Sequence, residues 1–207
     1  MLVLGIDTSC DETSVGITDN ERIISNIVAS QVSWHQEFGG VEPRLAKRLH
    51  EKFLDPTINL ALKEAGKSFD EIDAIAVTIG PGLALALEAG ISKSIELAKQ
   101  FNKPIIPVDH MEGHLLSPFA KDKHGNFGIQ TPEFPALGLL VSGGHTELVL
   151  MNSLGNYTLV GQTLDDACGE CLDKIGRELG FGYPAGPKIS EYAKEGNPSR
   201  FTLPVPM

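Results

Sequence analysis

Leu2-Val3-Leu4-Gly5-Ile6-Asp7-Thr8-Ser9-Cys10-Asp11-Glu12-Thr13-Ser14-Val15-Gly16-Ile17-Thr18 reads as an apolar run, a dense polar turn and an alternating run. That is the pattern of two strands, 2–7 and 14–18, joined by a polar hairpin. A third strand is expected at about 22–30, through Ile23-Ile24-Ser25-Asn26-Ile27-Val28. Gly39-Gly40 breaks the chain, and from Pro43 to Ala65 the residues Leu45, Leu49, Phe53, Leu54, Ile58 and Leu62 recur at helical spacing. Asp73 to Ile79 reads as a buried strand closed by Gly80-Pro81-Gly82, residues 83–100 as a helix, and Pro104 to Val108 as a short strand.

The opening pattern then returns. Ala136-Leu137-Gly138-Leu139-Leu140-Val141 is an apolar strand, Ser142-Gly143-Gly144-His145-Thr146 a polar turn, Glu147 to Met151 a strand and Tyr157 to Thr163 another, before a helix from about Asp166 to Leu179. Residues 120–133 between the two copies read as an exposed loop. The first copy continues with strand, helix and strand. The second passes Gly186-Pro187 and a further helix near Ile189, and reaches Met207 without that completion. The expected fold is therefore α/β with two related lobes. The first, 1–130, is complete and carries a histidine-pair helix; the second, 131–207, is only begun.

The hydrophobic fraction of 42% and charged fraction of 21% over 207 residues suit a globular chain with a core. A formal charge of −10 opposes non-specific binding to a phosphate backbone, which needs clustered Lys and Arg, so a nucleic-acid substrate would need positive surface from elsewhere. Met1-Leu2-Val3-Leu4 lacks the basic start of a signal peptide and no apolar stretch reaches bilayer length, so a protein of the cytoplasm or of an organelle matrix is expected, cytoplasmic by preference and with no membrane partner. Three cysteines argue for reduced thiols. Cys168-Gly169-Glu170-Cys171 is a C-x-x-C, but it reads as helix interior without the preceding strand of a thioredoxin-like site, so no redox role is expected.

His110-Met111-Glu112-Gly113-His114 places two imidazoles four residues apart, on one face of a helix that begins just past a strand. Chance spacing of two histidines is the plain alternative to metal coordination. The location favours coordination, because sites in α/β folds gather at the carboxyl ends of strands. A zincin helix would have its base directly after the first histidine, whereas Glu112 comes second and faces elsewhere, which argues against proteolysis. The two polar turns, one per lobe, can face each other across a cleft. Ser142-Gly143-Gly144 offers amides without Cβ obstruction for an anionic ligand, and the aspartates of 7–13 can hold a metal or act as a base.

Gly5-Ile6-Asp7-Thr8-Ser9-Cys10-Asp11-Glu12-Thr13, Gly39-Gly40-Val41, Gly80-Pro81-Gly82, His110-Met111-Glu112-Gly113-His114, Leu140 to Thr146, and Gly169-Glu170 with Asp173-Lys174 stand in the order of one family. Over its whole length the chain resembles the bacterial and organellar TsaD family, tRNA threonylcarbamoyladenosine synthases once described as sialoglycoprotein endopeptidases. The resemblance implies the actin-like, sugar-kinase-like ATPase fold. It also implies transfer of threonylcarbamoyl from threonylcarbamoyl-adenylate to N6 of the adenosine 3′ to the anticodon.

On that model His110 and His114 match two ligands of one divalent metal ion, iron or alternatively zinc, whose third protein ligand is absent from this chain. Leu140, Val141, Ser142, Gly143 and Gly144 match the substrate-binding turn, Asp173 and Gly186 two further contacts to the adenylate, and Asp11 a base or orienting group. The implied partners are tRNA, a shorter actin-like paralogue of the TsaB type and an ATPase of the TsaE type. A non-catalytic actin-like scaffold subunit of the same tRNA-modification complex is the alternative. The chain departs from the family at Glu42-Pro43-Arg44, where Val-Pro-Glu is usual, at Ala84-Leu85-Ala86 in place of a glycine run, and at Ala185 in place of a glycine.

Overall fold

The computed structural model describes residues 1–126 and 133–204. Strands β1 (Leu2–Asp7), β2 (Glu12–Asp19) and β3 (Arg22–Ser30) form an antiparallel meander. β4 (Ala74–Gly80) and β5 (Ile105–Asp109) extend it in parallel, giving the order β3-β2-β1-β4-β5. Period-two alternation sends Leu4, Ile6, Val15 and Ile17 to one face, where all four are buried. Helices α2 (Pro43–Ala65) and α3 (Ala84–Phe101) cover that face and contribute Leu54, Ile58 and Leu97 to the core.

Before α2 the chain makes one helical turn, α1 (Val32–His35). The ends of α2 are set by local chemistry. The Glu42 carboxylate accepts the free N–H groups of Arg44 and Leu45, Pro43 occupies the first turn, and Gly66 ends the helix with φ of 64°.

The second sheet holds β6 (Ala136–Val141), β7 (Thr146–Ser153) and β8 (Asn156–Gln162) in antiparallel order. Between the sheets runs α4 (His110–Leu116), capped by the Asp109 carboxylate on Met111 and Glu112 N–H. Although α4 continues directly from β5, its apolar side belongs by packing to the second sheet: Leu115 joins Val149 and Met151 in a separate small core. Gly138 on β6 permits this, since a Cβ there would lie 2.5 Å from Leu115 Cδ2. The opposite face of β6 leaves Leu137, Leu139 and Val141 exposed.

Helix α5 (Cys168–Glu178) follows β8, and α6 (Gly186–Ala193) packs near it through Gly176 and Ala185. Here the sequence reading needs correction. Cys168 opens α5 rather than lying inside it, because Thr163 Oγ1 donates to the Asp166 carbonyl and keeps residues 163–166 in a turn after β8. The C-x-x-C therefore does follow a strand and does begin a helix. The expected loop over 120–133 falls partly outside the described residues; within them, Lys121 bridges to Arg22 on the edge of β3.

Candidate functional site

The β1–β2 turn, the start of α4 and the β6–β7 turn converge on a cleft of about 1220 Å³ between the two sheets. Asp7, at the end of β1, organises its floor. Asp7 Oδ1 accepts from Ser9 N–H at 2.9 Å and Ser9 Oγ at 2.7 Å; Oδ2 accepts from Thr78 Oγ1 at 2.6 Å and His110 Nδ1 at 3.0 Å. Burial pushes the Asp7 carboxyl up, but the hydrogen bonds from His110, Thr78 and Ser9 outweigh it and hold the group far below the usual carboxylate range. An ionised Asp7 can only accept, so the proton on His110 is assigned to Nδ1 and the Nε2 lone pair is left facing the cleft.

His114 Nε2 lies 3.0 Å from His110 Nε2, with the rings edge to face. Two ring nitrogens bound to one ion at about 2.1 Å sit about 3–3.4 Å apart, so this convergence fits a shared metal. Burial first, then the neighbouring His110, push the His114 pKa down, which favours the neutral form a metal needs. Among the described residues no three His, Cys, Asp or Glu side chains are arranged around one ion. Asp7 is committed to the far nitrogen of His110, the place of an outer partner rather than a ligand.

The second turn forms the opposite wall. Ser142 N–H donates to the His145 carbonyl, and His145 N–H donates to Ser142 Oγ at 3.0 Å. Added Cβ atoms on Gly143 and Gly144 would meet nothing within 4 Å, so these glycines leave open space on the cleft side. Gly169 is different: a Cβ there would sit 2.8 Å from Gly143 Cα, so α5 lies directly on the turn. Gly82 similarly docks the β4–α3 connection onto the first turn, with a would-be Cβ 2.7 Å from the Ser9 carbonyl.

His110, His114, Asp11, Ser142, Gly143, Gly144 and Asp173 all line this cleft, and Leu140, Val141 and Gly186 do not. Leu140 packs toward the small core, Val141 faces out, and Gly186 is the first residue of α6. Asp173 Oδ1 accepts Ala185 N–H at 2.7 Å. Asp11 Oδ2 takes a long contact of 3.4 Å from Tyr183 Oη, and Arg177 Nη2 reaches the Gly39 carbonyl at 2.9 Å, so α5 and the loop after it touch the first lobe at two points.

Glu112 is held outside the cleft by Tyr157 Oη at 2.9 Å, which leaves it unavailable as a protease-like base. Two of the departures from the family pattern also fall away from the cleft. Arg44 borders a separate surface hollow, and the fully buried Ala185 methyl packs against Gly176.

The sequence reading missed Asp7 as a partner of His110 and missed His50 beneath the first turn. His50 is fully buried; its Nε2 lies 3.0 Å from the Cys10 carbonyl and its Nδ1 2.8 Å from Thr13 Oγ1. The carbonyl can only accept, so Nε2 donates and Nδ1 receives the Thr13 hydroxyl. Burial pushes the His50 pKa down.

In fold, the chain resembles the ethanolamine utilization protein EutJ from Carboxydothermus hydrogenoformans, with a TM-score of 0.53 at 12% identity over 95% of this chain and 62% of that one. It also resembles the ROK hexokinase from Thermus thermophilus, with a TM-score of 0.50 at 18% identity over 96% of this chain and 70% of that one. The actin-like architecture that the family resemblance implies agrees with the fold of these neighbours. In sequence it is 50% identical to the tRNA N6-adenosine threonylcarbamoyltransferase of Thermomicrobium roseum, over 99% of this chain and 56% of the relative. The corresponding protein of Chromobacterium violaceum is also 50% identical, over 100% of this chain and 59% of the relative. The chain thus spans somewhat more than half the length of these curated relatives. The family model of the tRNA N6-adenosine threonylcarbamoyltransferases matches residues 22–207, and with the histidine pair and both turns in place the chain belongs to that family, TsaD.

Proposed function

We propose that this cleft serves the transfer of a threonylcarbamoyl group from threonylcarbamoyl-adenylate to N6 of the adenosine 3′ to the anticodon of tRNA. The observation that carries the reading is the convergence of His110 and His114 Nε2 on the cleft that also holds the Ser142-Gly143-Gly144 turn. In this scheme the amine attacks the carbamoyl carbonyl, the bond to the adenylate phosphate breaks, AMP departs, and the amine proton passes to a carboxylate. Asp11 is the acceptor we assign, and Asp173 and the open amides of Gly143 and Gly144 hold the adenylate.

His110 and His114 would hold a divalent metal, iron or zinc, which polarises the carbonyl when bound. Asp7 keeps His110 in the ligating tautomer. With two ligands from this chain, retention through dialysis should be poor, and the remaining ligand would come from the part of the family's length that the match does not cover. TsaB-type and TsaE-type partners and a cytoplasmic setting belong to the same proposal. No helix among the described residues is long and apolar enough to cross a membrane.

Titration calorimetry with a non-hydrolysable threonylcarbamoyl-adenylate analogue tests the binding half. The analogue should bind this chain and lose affinity when Ser142 and Asp173 are replaced by Ala. Equal binding by that variant would remove the second turn from the reading.

A further inference from the structure

Cys168 and Cys171 are unpaired and exposed, and nothing proposed above uses them. They occupy the first turn of α5, where Cys171 N–H donates to the Ala167 carbonyl at 2.9 Å. Residues three apart in an α-helix have Cα atoms about 5 Å apart, within the range of about 4.4–6.8 Å that a disulfide spans. The N–H groups opening a helix have no partner within it, so a first turn can rewind at lower cost than an interior one.

Here those N–H groups bond to the cleft wall. Cys168 N–H donates to Thr146 Oγ1 at 2.9 Å and Gly169 N–H to the Ser142 carbonyl at 3.1 Å. The dithiol therefore sits on the backbone that holds the Ser142–Gly144 turn.

We propose that Cys168 and Cys171 form a reversible dithiol–disulfide pair whose oxidation displaces the Ser142-Gly143-Gly144 turn. The oxidant is a low-molecular-weight disulfide of the glutathione class. One thiolate attacks a sulfur of the reagent, breaking its S–S bond and releasing one thiol. The second cysteine then attacks the mixed disulfide, forming the internal S–S bond and releasing the other thiol. Two electrons and two protons pass from the cysteine pair to the reagent, so the exchange balances. Drawing the two sulfurs to bonding distance rotates the peptide groups between them, and with them the amide of Gly169.

The test incubates the folded chain with reduced and oxidised glutathione at graded ratios, quenches it, and maps the tryptic peptide ending at Lys174, which carries both cysteines. Amide exchange is followed on the same samples. The expected result is a peptide lighter by two hydrogens and free of glutathione, reversed by dithiothreitol, with exchange at Gly169 faster by about tenfold in the oxidised form. Cys171→Ser should instead trap a glutathione adduct on Cys168 and show no such change in exchange. Adducts on the wild-type pair without an internal bond would overturn the proposal. So would a disulfide that leaves the exchange of Gly169 and His145 unchanged.

Discussion

Asp7 Oδ2 lies 3.0 Å from Nδ1 of His110, joining residues 103 positions apart in the chain. This bond places the proton of His110 on Nδ1 and leaves Nε2 toward His114, so in the proposed metal site a carboxylate from the first strand would orient the ligand. Asp7→Asn should weaken binding of Zn2+ or Fe2+, read by competition with a chelator, by about 10–100-fold while the fold persists. Unchanged affinity would show that Asp7 has no part in orienting the ligand.

His50 is expected to fix the shape of the turn that carries Asp11. Truncation in His50→Ala leaves the Cys10 carbonyl and Thr13 hydroxyl without their partner, at a cost of about 1–3 kcal/mol in urea unfolding. His50→Gln keeps a donor within reach of the carbonyl and should recover part of that loss. Equal destabilisation by both variants would point to ring packing rather than the hydrogen bond.

The glycines divide into two kinds. Gly169→Ala drives a methyl into the backbone of Gly143 and should cost about 1–3 kcal/mol. Gly144→Ala meets no protein atom, so stability should stay within about 0.5 kcal/mol of the parent. Binding of the adenylate analogue should nevertheless fall, because the methyl would occupy ligand space. A Gly144→Ala protein that binds the analogue as the parent does would place the ligand elsewhere.

His35, His50 and His114 are each pushed below the ordinary histidine value of 6.5, in every case chiefly by burial. The opposing influences are Asp11 and Glu42 on His35, the Cys10 carbonyl, Asp7 and Asp11 on His50, and Asp7 on His114. A depressed folded pKa means that the unfolded chain binds more protons as pH falls below 6.5. Stability is therefore full above that value and is lost below it. The thermal midpoint should fall as the pH drops below about 6.5, and a midpoint that stays level there would contradict the burial of these rings.

Much of the fold was legible because its signals are local. The spacing of Leu49, Leu54 and Ile58 marks α2, and the alternation of Val15 and Ile17 marks β2. The cleft was legible only in part. The histidine pair lies within one helical turn, and the two polar turns repeat, so each announces itself. Asp7 and His50 act through partners far along the chain, and no local pattern encodes that pairing. The start of α5 was misplaced because Thr163 and Thr146 set it through side-chain contacts, which propensity alone does not register.

Label transfer to tRNA tests the proposed role of the histidine pair in the cleft. This chain would be supplied with the carboxyl-terminal remainder of the Thermomicrobium roseum relative, TsaB-type and TsaE-type partners, metal and radiolabelled threonylcarbamoyl-adenylate. Label is expected on N6 of the adenosine beside the anticodon, falling to background when His110 and His114 are both replaced by Ala. Undiminished transfer by the double variant, or none by the reconstituted parent while the intact relative labels tRNA in parallel, would contradict it.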